Sequence, residues 1–500
     1  MTTHLIQELM QHCGVKFGTS GARGLAIEMT DEVCYTYTQG FLQYLEQQGE
    51  LKKQGETVAI AGDLRPSTTR IMTAVAKAAL DMGYTPMNSG EIPAPAVALF
   101  GLEHQCPSVM VTGSHIPADR NGIKFNKCTG EILKTDEPGI TSQLVKLNAE
   151  TFNVDGSFKD ASITLPKEDT QANERYAKRF LEVFPEDCLK GKKIGIYQHS
   201  AVGRDVLVSI FSGLGAEVTA LGYSDTFIPV DTEAIRDEDV VLAQQWSSEY
   251  SFDTIISTDG DSDRPLMSDE KGIWMRGDIL GILAARYLKA DAISTPVSCN
   301  TAVEKTGWFE HVARTKIGSP FVVASMMESS ASNYKKVVGY EANGGFLTNS
   351  DLELFGKAFR ALPTRDAVLP TLAILLLSME EEKTVSDLIA DLPSCYTASG
   401  RIQEFPTEES SKILAKFTVG SDSENLKELT NSFSNAFGKV KGVDETDGLR
   451  VTFESEEVLH MRPSGNAPEF RCYNEASSQD RALDMQKISM EILIQLKSEI

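Results

Sequence analysis

Short apolar runs that end in polar loops and are followed by helical repeats recur along this chain. In the first complete example, residues 57–61 are apolar β-formers and residues 62–67 form a polar loop. Apolar side chains then recur at helical spacing across residues 71–82, and Gly83 ends the repeat. A buried strand, a loop and an amphipathic helix in this order are typical of an α/β fold.

The same order of elements returns in later parts of the sequence. Strands are predicted at residues 109–112, 193–197, 218–221, 254–257, 337–340 and 470–473, and helices at residues 202–211 and 279–288. Because the carboxyl ends of neighbouring parallel strands meet at one edge of a sheet, the loops after these strands are the places to look for chemistry. We therefore predict an α/β protein made of several strand–loop–helix units.

The length of the chain indicates more than one domain. Its 500 residues exceed what one hydrophobic core usually organises, so we expect about three to five domains. The hydrophobic content of 41% and the charged content of 24% are those of ordinary globular proteins. After the charged segment 380–384 the sequence becomes richer in Ser, Glu and Lys, which predicts a last domain of different character.

Charge and cysteine usage narrow the class of partner and compartment. The net charge of −23 argues against nucleic acid and anionic membranes as partners. It allows a phosphorylated ligand, because a few converging Arg and Lys side chains bind phosphate inside an acidic protein. The eight scattered cysteines, the N-terminal sequence without a signal peptide and the short apolar run 367–379 predict a soluble, cytoplasmic protein with reduced thiols.

The stretch from Val109 to Lys124 is the first candidate for catalysis. An apolar strand runs into Gly113, Ser114 and His115, so that one hydroxyl is presented at the edge of a sheet. A serine beside a histidine, with a lysine ten residues further on, suits an activated nucleophile. A plain polar loop after a buried strand is the alternative that these residues alone leave open.

Three carboxylates follow the predicted strand at 254–257. Asp259, Asp261 and Asp263 alternate in what we expect to be an extended loop, and side chains at alternate positions of such a loop lie on one side. They would form a compact oxygen cage for Mg2+ or Mn2+. An EF-hand loop is the competing interpretation because Glu270 stands at its twelfth position, but Arg264 occupies the position that requires glycine.

Three further loops could bind anions or hydroxyl groups. In the first, residues 17–24, glycines and hydroxyl side chains surround Arg23. The second, residues 337–346, offers Glu341 and Asn343 as hydrogen-bonding groups, and its adjacent glycines allow close approach by a ligand. In the third, a phosphate could be held by Arg462, Ser464, Gly465, Asn466 and Arg471. Each loop by itself is also compatible with a simple turn.

Taken together, these loops resemble the α-D-phosphohexomutase superfamily over essentially the whole chain. The segments T-G-S-H-I-P, D-G-D-S-D-R, G-Y-E-A-N-G-G and R-P-S-G-N-A-P stand in the order of the family's motifs. The resemblance implies a four-domain, heart-shaped architecture with three related α/β domains and a smaller α+β C-terminal domain. The implied domains are a catalytic phosphoserine domain (1–160), a metal-binding domain (161–272), a sugar-binding domain (273–385) and a phosphate-binding domain (386–500).

The resemblance also implies a mechanism and a role for each site residue. Ser114 would carry a phosphoryl group, pass it to a hexose phosphate and take back another from a hexose 1,6-bisphosphate intermediate, which also serves as activator. One Mg2+ per chain would be held by Ser114, Asp259, Asp261 and Asp263. Arg23, His115 and Lys124 would complete the catalytic set, with Lys124 or His115 as the proton-transfer group. The implied substrate-binding residues are Arg264, Glu341, Asn343, Gly344, Arg462, Ser464, Gly465, Asn466 and Arg471.

This chain departs from the usual family motifs at four positions. Ile116 stands where the serine loop (residues 112–117) normally has asparagine in this family. Asn466 stands where the phosphate loop (residues 462–468) normally has threonine. In the segment that would bind the sugar, called here the sugar loop (residues 339–345), Asn343 replaces a serine and Gly345 replaces a histidine. The missing histidine removes one possible acid or base, which strengthens Lys124 and His115 as candidates.

The form of the phosphate loop is most similar to that of bacterial phosphomannomutases, which favours mannose 6-phosphate and mannose 1-phosphate as substrates. Phosphoglucomutase and phosphoglucosamine mutase activities are the alternatives within the family, and phosphatase activity would follow if water attacked the phosphoserine. A non-catalytic sugar-phosphate binding or regulatory protein is the alternative from another class. We expect a phosphorylated hexose as partner, no nucleic acid or membrane, and a monomer or homodimer.

Overall fold

In the computed structural model, residues 2–18, 21–51, 55–148, 150–420, 422–464 and 468–498 are described. They form two compact units. The first comprises Met1–Ile293 with Gly318–Ile389, and the second comprises Ser294–Ile317 with Ala390–Ile500. The finer division into four domains, at residues 160, 272 and 385, stays a prediction.

The first unit is a mixed α/β structure. Its helices are α1 (Ile6–His12), α2 (Asp31–Gln48), α3 (Thr68–Asp81), α4 (Ala94–His104), α5 (Glu137–Thr141), α6 (Gln171–Leu181), α7 (Arg204–Gly213), α8 (Asp237–Tyr250), α9 (Gly277–Tyr287), α11 (Ser319–Ala331), α12 (Val368–Glu380) and α13 (Val385–Ala390), the last of which ends one residue inside the second unit. Helix α10 (Ala302–Lys305) belongs to the second unit.

The strands of the first unit are β1 (Thr2–Leu5), β2 (Lys16–Phe17), β3 (Gly21–Leu25), β4 (Thr57–Gly62), β5 (Thr85–Glu91), β6 (Ser108–Val111), β7 (Arg120–Lys127), β8 (Gly130–Glu131), β9 (Leu144–Leu147), β10 (Lys193–His199), β11 (Glu217–Tyr223), β12 (Thr254–Thr258), β13 (Pro265–Met267), β16 (Val337–Tyr340), β17 (Phe346–Thr348), β18 (Leu352–Leu354), β19 (Lys357–Phe359) and β20 (Leu362–Asp366). Strand β14 (Ala292–Pro296) leads from the first unit into the second, where β15 (His311–Thr315) lies.

The first sheet has the order β2-β3-β7-β6-β4-β5, with β8 paired to β7. Strand β4 is parallel to both β5 and β6, whereas β7 runs antiparallel to both β6 and β3. The core includes Phe41 from α2, Val75 from α3 and Phe125 from β7. This packing gives the loop after β6 a rigid support.

Two further sheets of the first unit support the other candidate loops. One has the order β11-β10-β12-β13, in which β10 is parallel to β11 and β12, and β13 is antiparallel to β12. In the other, β16, β17 and β20 are antiparallel neighbours. The aspartate loop (residues 259–264) follows β12, and the loop that carries Glu341 follows β16. The predicted order, in which each of these loops follows a strand, is confirmed.

One predicted helix begins later than expected. We predicted a helix from residue 202, but α7 starts at Arg204. The backbone N–H of Val202 donates to the carbonyl oxygen of Gly260 at 3.1 Å, which ties this residue to the aspartate loop and keeps it out of the helix. The start of α7 is therefore set by a tertiary hydrogen bond.

The second unit contains an antiparallel sheet of order β21-β25-β24-β23-β22, formed by β21 (Tyr396–Ile402), β22 (Val440–Asp444), β23 (Leu449–Phe453), β24 (Val458–Pro463) and β25 (Phe470–Ala476). Its longer helices are α14 (Thr407–Thr418), α15 (Asp422–Phe437) and α16 (Gln479–Ser498). Side chains such as Phe433, Leu459 and Leu493 form its core. Among the described residues of the whole chain, no helix has the length and apolar character needed to cross a membrane.

Candidate active site

The three aspartates after β12 form a buried carboxylate cluster. One oxygen atom from each of Asp259, Asp261 and Asp263 lies within 4.8 Å of the others. The loop is not extended, as we had expected, but turns: Ser262 has a φ of 56°, and its N–H donates to the carbonyl oxygen of Asp259 at 3.2 Å. The turn, and not alternation along an extended chain, brings the three carboxylates together.

The free oxygens of this cluster suit a divalent cation. The Oδ1 atoms of Asp261 and Asp263 are buried and have no hydrogen-bond partner among the described residues. A buried carboxylate oxygen without a donor is costly, and a hard cation such as Mg2+ is the ligand that such oxygens prefer. Glu270, the residue that an EF-hand would use, instead accepts a hydrogen bond from the hydroxyl of Ser386 at 2.5 Å.

The protonation behaviour of the aspartates reflects their burial and neighbours. Burial, and then the charges of Asp261 and Asp263, raise the pKa of Asp259 well above its ordinary value. Burial also acts to raise the pKa of Asp263, but the charges of Arg365 and Lys124 outweigh it and hold that pKa below the ordinary value. The electrostatic surroundings of the cluster are therefore asymmetric: positive charges dominate around Asp263, whereas the other two aspartates dominate around Asp259.

Ser114 lies directly against the aspartate cluster. Its hydroxyl donates to Oδ2 of Asp259 at 2.5 Å, and its Oγ lies 3.2 Å from Nδ1 of His115. Its backbone is left-handed, with a φ of 57°, which is uncommon for a residue with a side chain and is typical of functional turns. The serine is 1% exposed, so surrounding contacts must hold it in this conformation.

Arg65 and Asp63 hold the backbone of the serine loop. The guanidinium of Arg65 donates to the carbonyl oxygens of Ser114 at 2.8 Å, Ile116 at 2.6 Å, Pro117 at 2.7 Å and Arg120 at 3.1 Å.

Asp63 completes this hold on the serine loop. It accepts from Nε of Arg65 at 3.0 Å and from the hydroxyl of Thr112 at 2.7 Å. The Oγ1 of Thr112 in turn accepts from the N–H of Ser114 at 2.7 Å. Sequence reasoning placed Asp63 and Arg65 in the loop after β4 but assigned them no role.

Lys124 links two of the aspartates, and Arg23 lies beside it. The Nζ of Lys124 donates to Oδ2 of Asp261 at 2.5 Å and to Oδ2 of Asp263 at 2.7 Å. Strands β3 and β7 pair with Gly21 opposite Lys124 and Arg23 opposite Gly122, so the two cations lie on the same face of the sheet. Burial and the nearby charge of Arg264 lower the pKa of Arg23 to about 10.

His115 and Arg264 form a second polar pair at the serine. Nη1 of Arg264 donates to Nδ1 of His115 at 3.0 Å, and Nε of Arg264 lies 3.8 Å from both Asp259 and Asp263. Burial, followed by the charges of Arg264 and Arg23, lowers the pKa of His115 well below its ordinary value. The imidazole is therefore neutral near pH 7, with its proton on Nε2.

The predicted sugar loop reaches the same cluster through Arg365, a residue that sequence reasoning missed. Nη1 of Arg365 donates to Oε2 of Glu341 at 3.2 Å and its Nε donates to Oδ2 of Asp263 at 3.1 Å. The sequence feature that could have indicated Arg365 is the Arg365–Asp366 pair between two apolar runs. A charged side chain in such surroundings needs a buried partner of opposite charge.

The backbone and side chain of Asn343 are engaged within the first unit. Its carbonyl oxygen accepts from the hydroxyl of Thr232 at 2.6 Å, and its Oδ1 accepts from the N–H of Gly345 at 2.9 Å. Gly344 has a φ of 90°, a conformation that glycine adopts readily. The turn after β16 is therefore a fixed structure that presents Glu341.

The predicted phosphate loop lies in the second unit. Arg462 on β24 pairs with Arg471 on β25, and Arg471 pairs in turn with Arg401 on β21, so three arginines form a row across the sheet. The N–H of Ser464 donates to the carbonyl oxygen of Glu469 at 2.8 Å. Gly465 and Asn466 lie outside the described residues. Arg401, which sequence reasoning did not single out, lies 3.2 Å from Glu469.

Comparison with known proteins identifies the family. Residues 14–150 match the family model of phosphoglucomutase/phosphomannomutase α/β/α domain I, and residues 276–396 match that of domain III. The chain is 42% identical to a phosphomannomutase of Salmonella muenchen over 496 residues, which cover 99% of this chain and 98% of that protein. The chain belongs to the phosphoglucomutase/phosphomannomutase family.

Other members of the phosphoglucomutase/phosphomannomutase family agree in sequence and fold. A phosphomannomutase of Sinorhizobium fredii is 43% identical over 472 residues, covering 94% of this chain and 96% of that protein. A family protein from Burkholderia thailandensis matches the fold with a TM-score of 0.72 at 19% identity, over 96% of this chain and 97% of its own.

A more distant structure in the same fold has been solved with a bisphosphate. Aspergillus fumigatus N-acetylphosphoglucosamine mutase, in complex with glucose 1,6-bisphosphate, matches with a TM-score of 0.58 at 14% identity, over 99% of both chains. The predicted fold class and the predicted family are thus confirmed.

Proposed function

We propose that this family member is a phosphomannomutase, an isomerase that interconverts mannose 6-phosphate and mannose 1-phosphate. The observation on which this depends is the contact between the hydroxyl of Ser114 and the carboxylate of Asp259, inside a cluster with two further aspartates. A hydroxyl in that position can carry a phosphoryl group next to a divalent cation. The phosphomannomutases of Salmonella muenchen and Sinorhizobium fredii, which match nearly the full chain, support mannose phosphates as the substrates.

In the proposed reaction, phosphorylated Ser114 gives its phosphoryl group to the free hydroxyl of the hexose phosphate. The resulting hexose 1,6-bisphosphate turns over in the site and returns its other phosphoryl group to Ser114. One Mg2+ per chain, held by a phosphoserine oxygen and by Asp259, Asp261 and Asp263, would supply charge neutralisation. The protein's main contribution is positioning and electrostatics, because phosphoryl transfer requires little other covalent chemistry.

The charges around Ser114 support a phosphorylated ligand. Four cations and four carboxylates meet there: Arg23, Lys124, Arg264 and Arg365, with Asp259, Asp261, Asp263 and Glu341. When a bound divalent cation keeps all four carboxylates ionised, these charges are equal in number, so the cation and a phosphoryl dianion can enter together without leaving a net charge buried. An anion alone would lack the cation that the orphaned aspartate oxygens require.

Lys124 is the stronger of the two candidates for proton transfer. Its ammonium group lies against Asp261 and Asp263. Burial acts to lower the pKa of Lys124, but the charges of these two aspartates outweigh it and raise that pKa, so Lys124 would act as a proton donor to an oxygen at the reacting centre. Nδ1 of His115 already accepts from Arg264 at 3.0 Å, so its lone pair is not available to take a proton from a sugar hydroxyl.

The remaining roles follow from the loops. Glu341, with Asn343 and Gly344 beside it, would bind the sugar hydroxyls. Arg462, Ser464 and Arg471 would hold the phosphate that does not react, together with Gly465 and Asn466. Holding the distant phosphate fixes the near hydroxyl for transfer, so that binding energy is used for orientation. The cytoplasmic location and the monomeric or dimeric state stay predictions.

The test is a comparison of initial rates on mannose 1-phosphate, glucose 1-phosphate and glucosamine 1-phosphate, with Mg2+ and a trace of the matching bisphosphate. We expect mannose 1-phosphate to be preferred and the product to be its 6-phosphate isomer, identified by phosphorus NMR. Ser114→Ala should abolish isomerisation, whereas Ser410→Ala, at a buried serine of the second unit, should retain it. Preference for glucosamine 1-phosphate, or full activity of Ser114→Ala, would contradict the proposal.

A further inference from the structure

Arg365 joins two loops that come from different sheets of the first unit. It is 5% exposed and lies on β20, which pairs with β17 just beyond the sugar loop. Its guanidinium bridges Oδ2 of Asp263 at 3.1 Å and Oε2 of Glu341 at 3.2 Å. Arg365 therefore contacts one carboxylate of the aspartate cluster and the carboxylate of the sugar loop at the same time.

Gly345 makes room for this bridge. A Cβ atom built on Gly345 would collide with Cδ of Arg365 and would lie 2.7 Å from its Cγ, closer than real Cβ contacts come. The φ of Gly345 is not in the left-handed region, so its backbone conformation does not require glycine. What most strongly requires glycine at this position is the space that the Arg365 side chain fills, since the next neighbour, Oδ1 of Asn343, lies 3.1 Å from the added Cβ.

The bridge affects its two carboxylates differently. Asp263 has other cations nearby, since Lys124 lies 2.7 Å from the same Oδ2 atom. Arg365 is the ion-pair partner found for Glu341 in the part of the chain that the structure describes. Loss of Arg365 would thus leave Glu341 without a fixed position, whereas Asp263 would remain held by Lys124.

We propose that Arg365 is a positioning residue that couples sugar recognition to the metal loop, and that Gly345 serves to admit it. This inference rests on the proposed function. The guanidinium of Arg365 orients the carboxylate of Glu341 towards the sugar hydroxyls. The positive charge of the same guanidinium competes with the divalent cation for the carboxylate of Asp263. Removing that charge makes the cation bind more tightly but leaves the carboxylate of Glu341 without a fixed orientation.

The experiment measures cation binding and catalysis separately in the full-length protein. Mn2+ affinity is determined by electron paramagnetic resonance, and KM and kcat are determined with mannose 1-phosphate. For Arg365→Gln we expect Mn2+ to bind about three- to tenfold more tightly, with kcat/KM lowered by about tenfold or more. Arg365→Lys retains the charge but not the fork, so Mn2+ affinity should stay near that of the wild type while kcat/KM falls.

A purely structural role for Arg365 predicts a different pattern. If Arg365 only stabilised the fold, Arg365→Gln would weaken Mn2+ binding together with activity, and that result would overturn the proposal. An unchanged kcat/KM in Arg365→Gln would overturn it as well. If the wild type does not act on mannose 1-phosphate, the proposed function fails, but the Mn2+ arm still reports on whether Arg365 competes for Asp263.

A second set of variants tests the role of Gly345. Gly345→Ala should lower kcat/KM in the wild-type background because its Cβ displaces Arg365. In an Arg365→Ala background the same substitution should cause no further loss. Gly442→Ala is the matched control, since a Cβ at Gly442 would meet nothing within 4 Å. Equal losses from Gly345→Ala in both backgrounds would show that Gly345 does not act through Arg365, which would overturn that part of the proposal.

Discussion

Nη2 of Arg65 donates to the carbonyl oxygen of Ser114 at 2.8 Å, although the two residues lie 49 positions apart. The same guanidinium group also holds the carbonyl oxygens of Ile116, Pro117 and Arg120. Because each of these bonds is made to the main chain, Arg65 fixes the path of the whole loop. The left-handed conformation of Ser114 is stabilised in this way by a side chain from the preceding strand–loop unit.

The first prediction concerns this hold on the serine. Arg65→Lys keeps a positive charge but can replace only part of the hydrogen bonds, so the loop around Ser114 should shift. A displacement of about 1 Å at a reacting group can lower the rate by about 100-fold, and we expect kcat to fall by about 10- to 100-fold. The measurement is steady-state kinetics on mannose 1-phosphate.

Arg70 provides a control for the charge at Arg65. It pairs with Asp31 at 2.8 Å, and its side chain is 42% exposed. We expect Arg70→Lys to have near-normal kcat. Equal activity of Arg65→Lys and Arg70→Lys would show that the path of the serine loop does not depend on the fork of Arg65.

The second prediction concerns the divalent cation. Treatment with a chelator should abolish isomerisation, and added Mg2+ should restore it. Asp261→Asn removes one charge and alters the orphaned Oδ1 atom, so the Mg2+ concentration for half-maximal activity should rise by about tenfold or more. Asp225→Asn, at a carboxylate outside the cluster that pairs with Tyr223, should leave this concentration unchanged. A metal-independent wild type would contradict the assignment of the cluster.

The third prediction concerns the row of arginines in the second unit. Arg462→Gln removes a charged donor from the proposed phosphate site, and charged hydrogen bonds are each worth about 1.5–3 kcal/mol. We therefore expect KM for mannose 1-phosphate to rise by about 10- to 100-fold, with Mn2+ affinity unaltered. Arg481→Gln, which breaks an ion pair with Glu457 on the same unit, is the control. If both variants keep the wild-type KM, the non-reacting phosphate is held elsewhere.

The fourth prediction concerns the stability of the protein in acid. The Nε2–H of His460 donates to the carbonyl oxygen of Asp447 at 2.6 Å, and burial lowers the pKa of His460 to about 4 from an ordinary 6.5. Between these values the unfolded chain binds a proton that the folded chain does not. Above pH 6.5 neither state binds this proton, and His460 leaves the free energy of unfolding unchanged. As the pH falls towards 4, proton uptake by the unfolded chain lowers the free energy of unfolding, by about 3 kcal/mol in total.

Denaturant unfolding monitored by circular dichroism between pH 4 and 7 measures this effect. His460→Gln should reduce the dependence of the unfolding free energy on pH, even where it lowers that free energy overall. His12→Gln, at an exposed histidine, should leave the dependence as it is. A His460→Gln variant with the full wild-type dependence would show that another group is responsible.

Much of the fold could be predicted because strand ends are local features of the sequence. The apolar runs before Asp63, Ser114 and Asp259 each predicted a strand, and the structure places β4, β6 and β12 there. The geometry of the aspartate loop was predicted wrongly. Its shape depends on the left-handed Ser262, and a serine residue does not by itself indicate that conformation.

Contacts between distant segments could not be predicted in the same way. Arg365 meets Asp263 across 102 positions and Glu341 across 24, and no local periodicity relates these residues. Arg401 joins Arg471 only through strand register, which depends on how the sheet assembles. The sequence could indicate which side chains needed a partner, but the partners themselves follow from tertiary structure.

The way in which Arg65 contacts Ile116 also bears on how this motif can vary. Arg65 binds the main-chain oxygen of Ile116, which every amino acid possesses, and makes no demand on its side chain. An apolar residue can therefore replace the usual asparagine without altering the course of the polypeptide around the nucleophile. This particular hydrogen bond is therefore kept whatever side chain stands at position 116, as long as the guanidinium of Arg65 is retained.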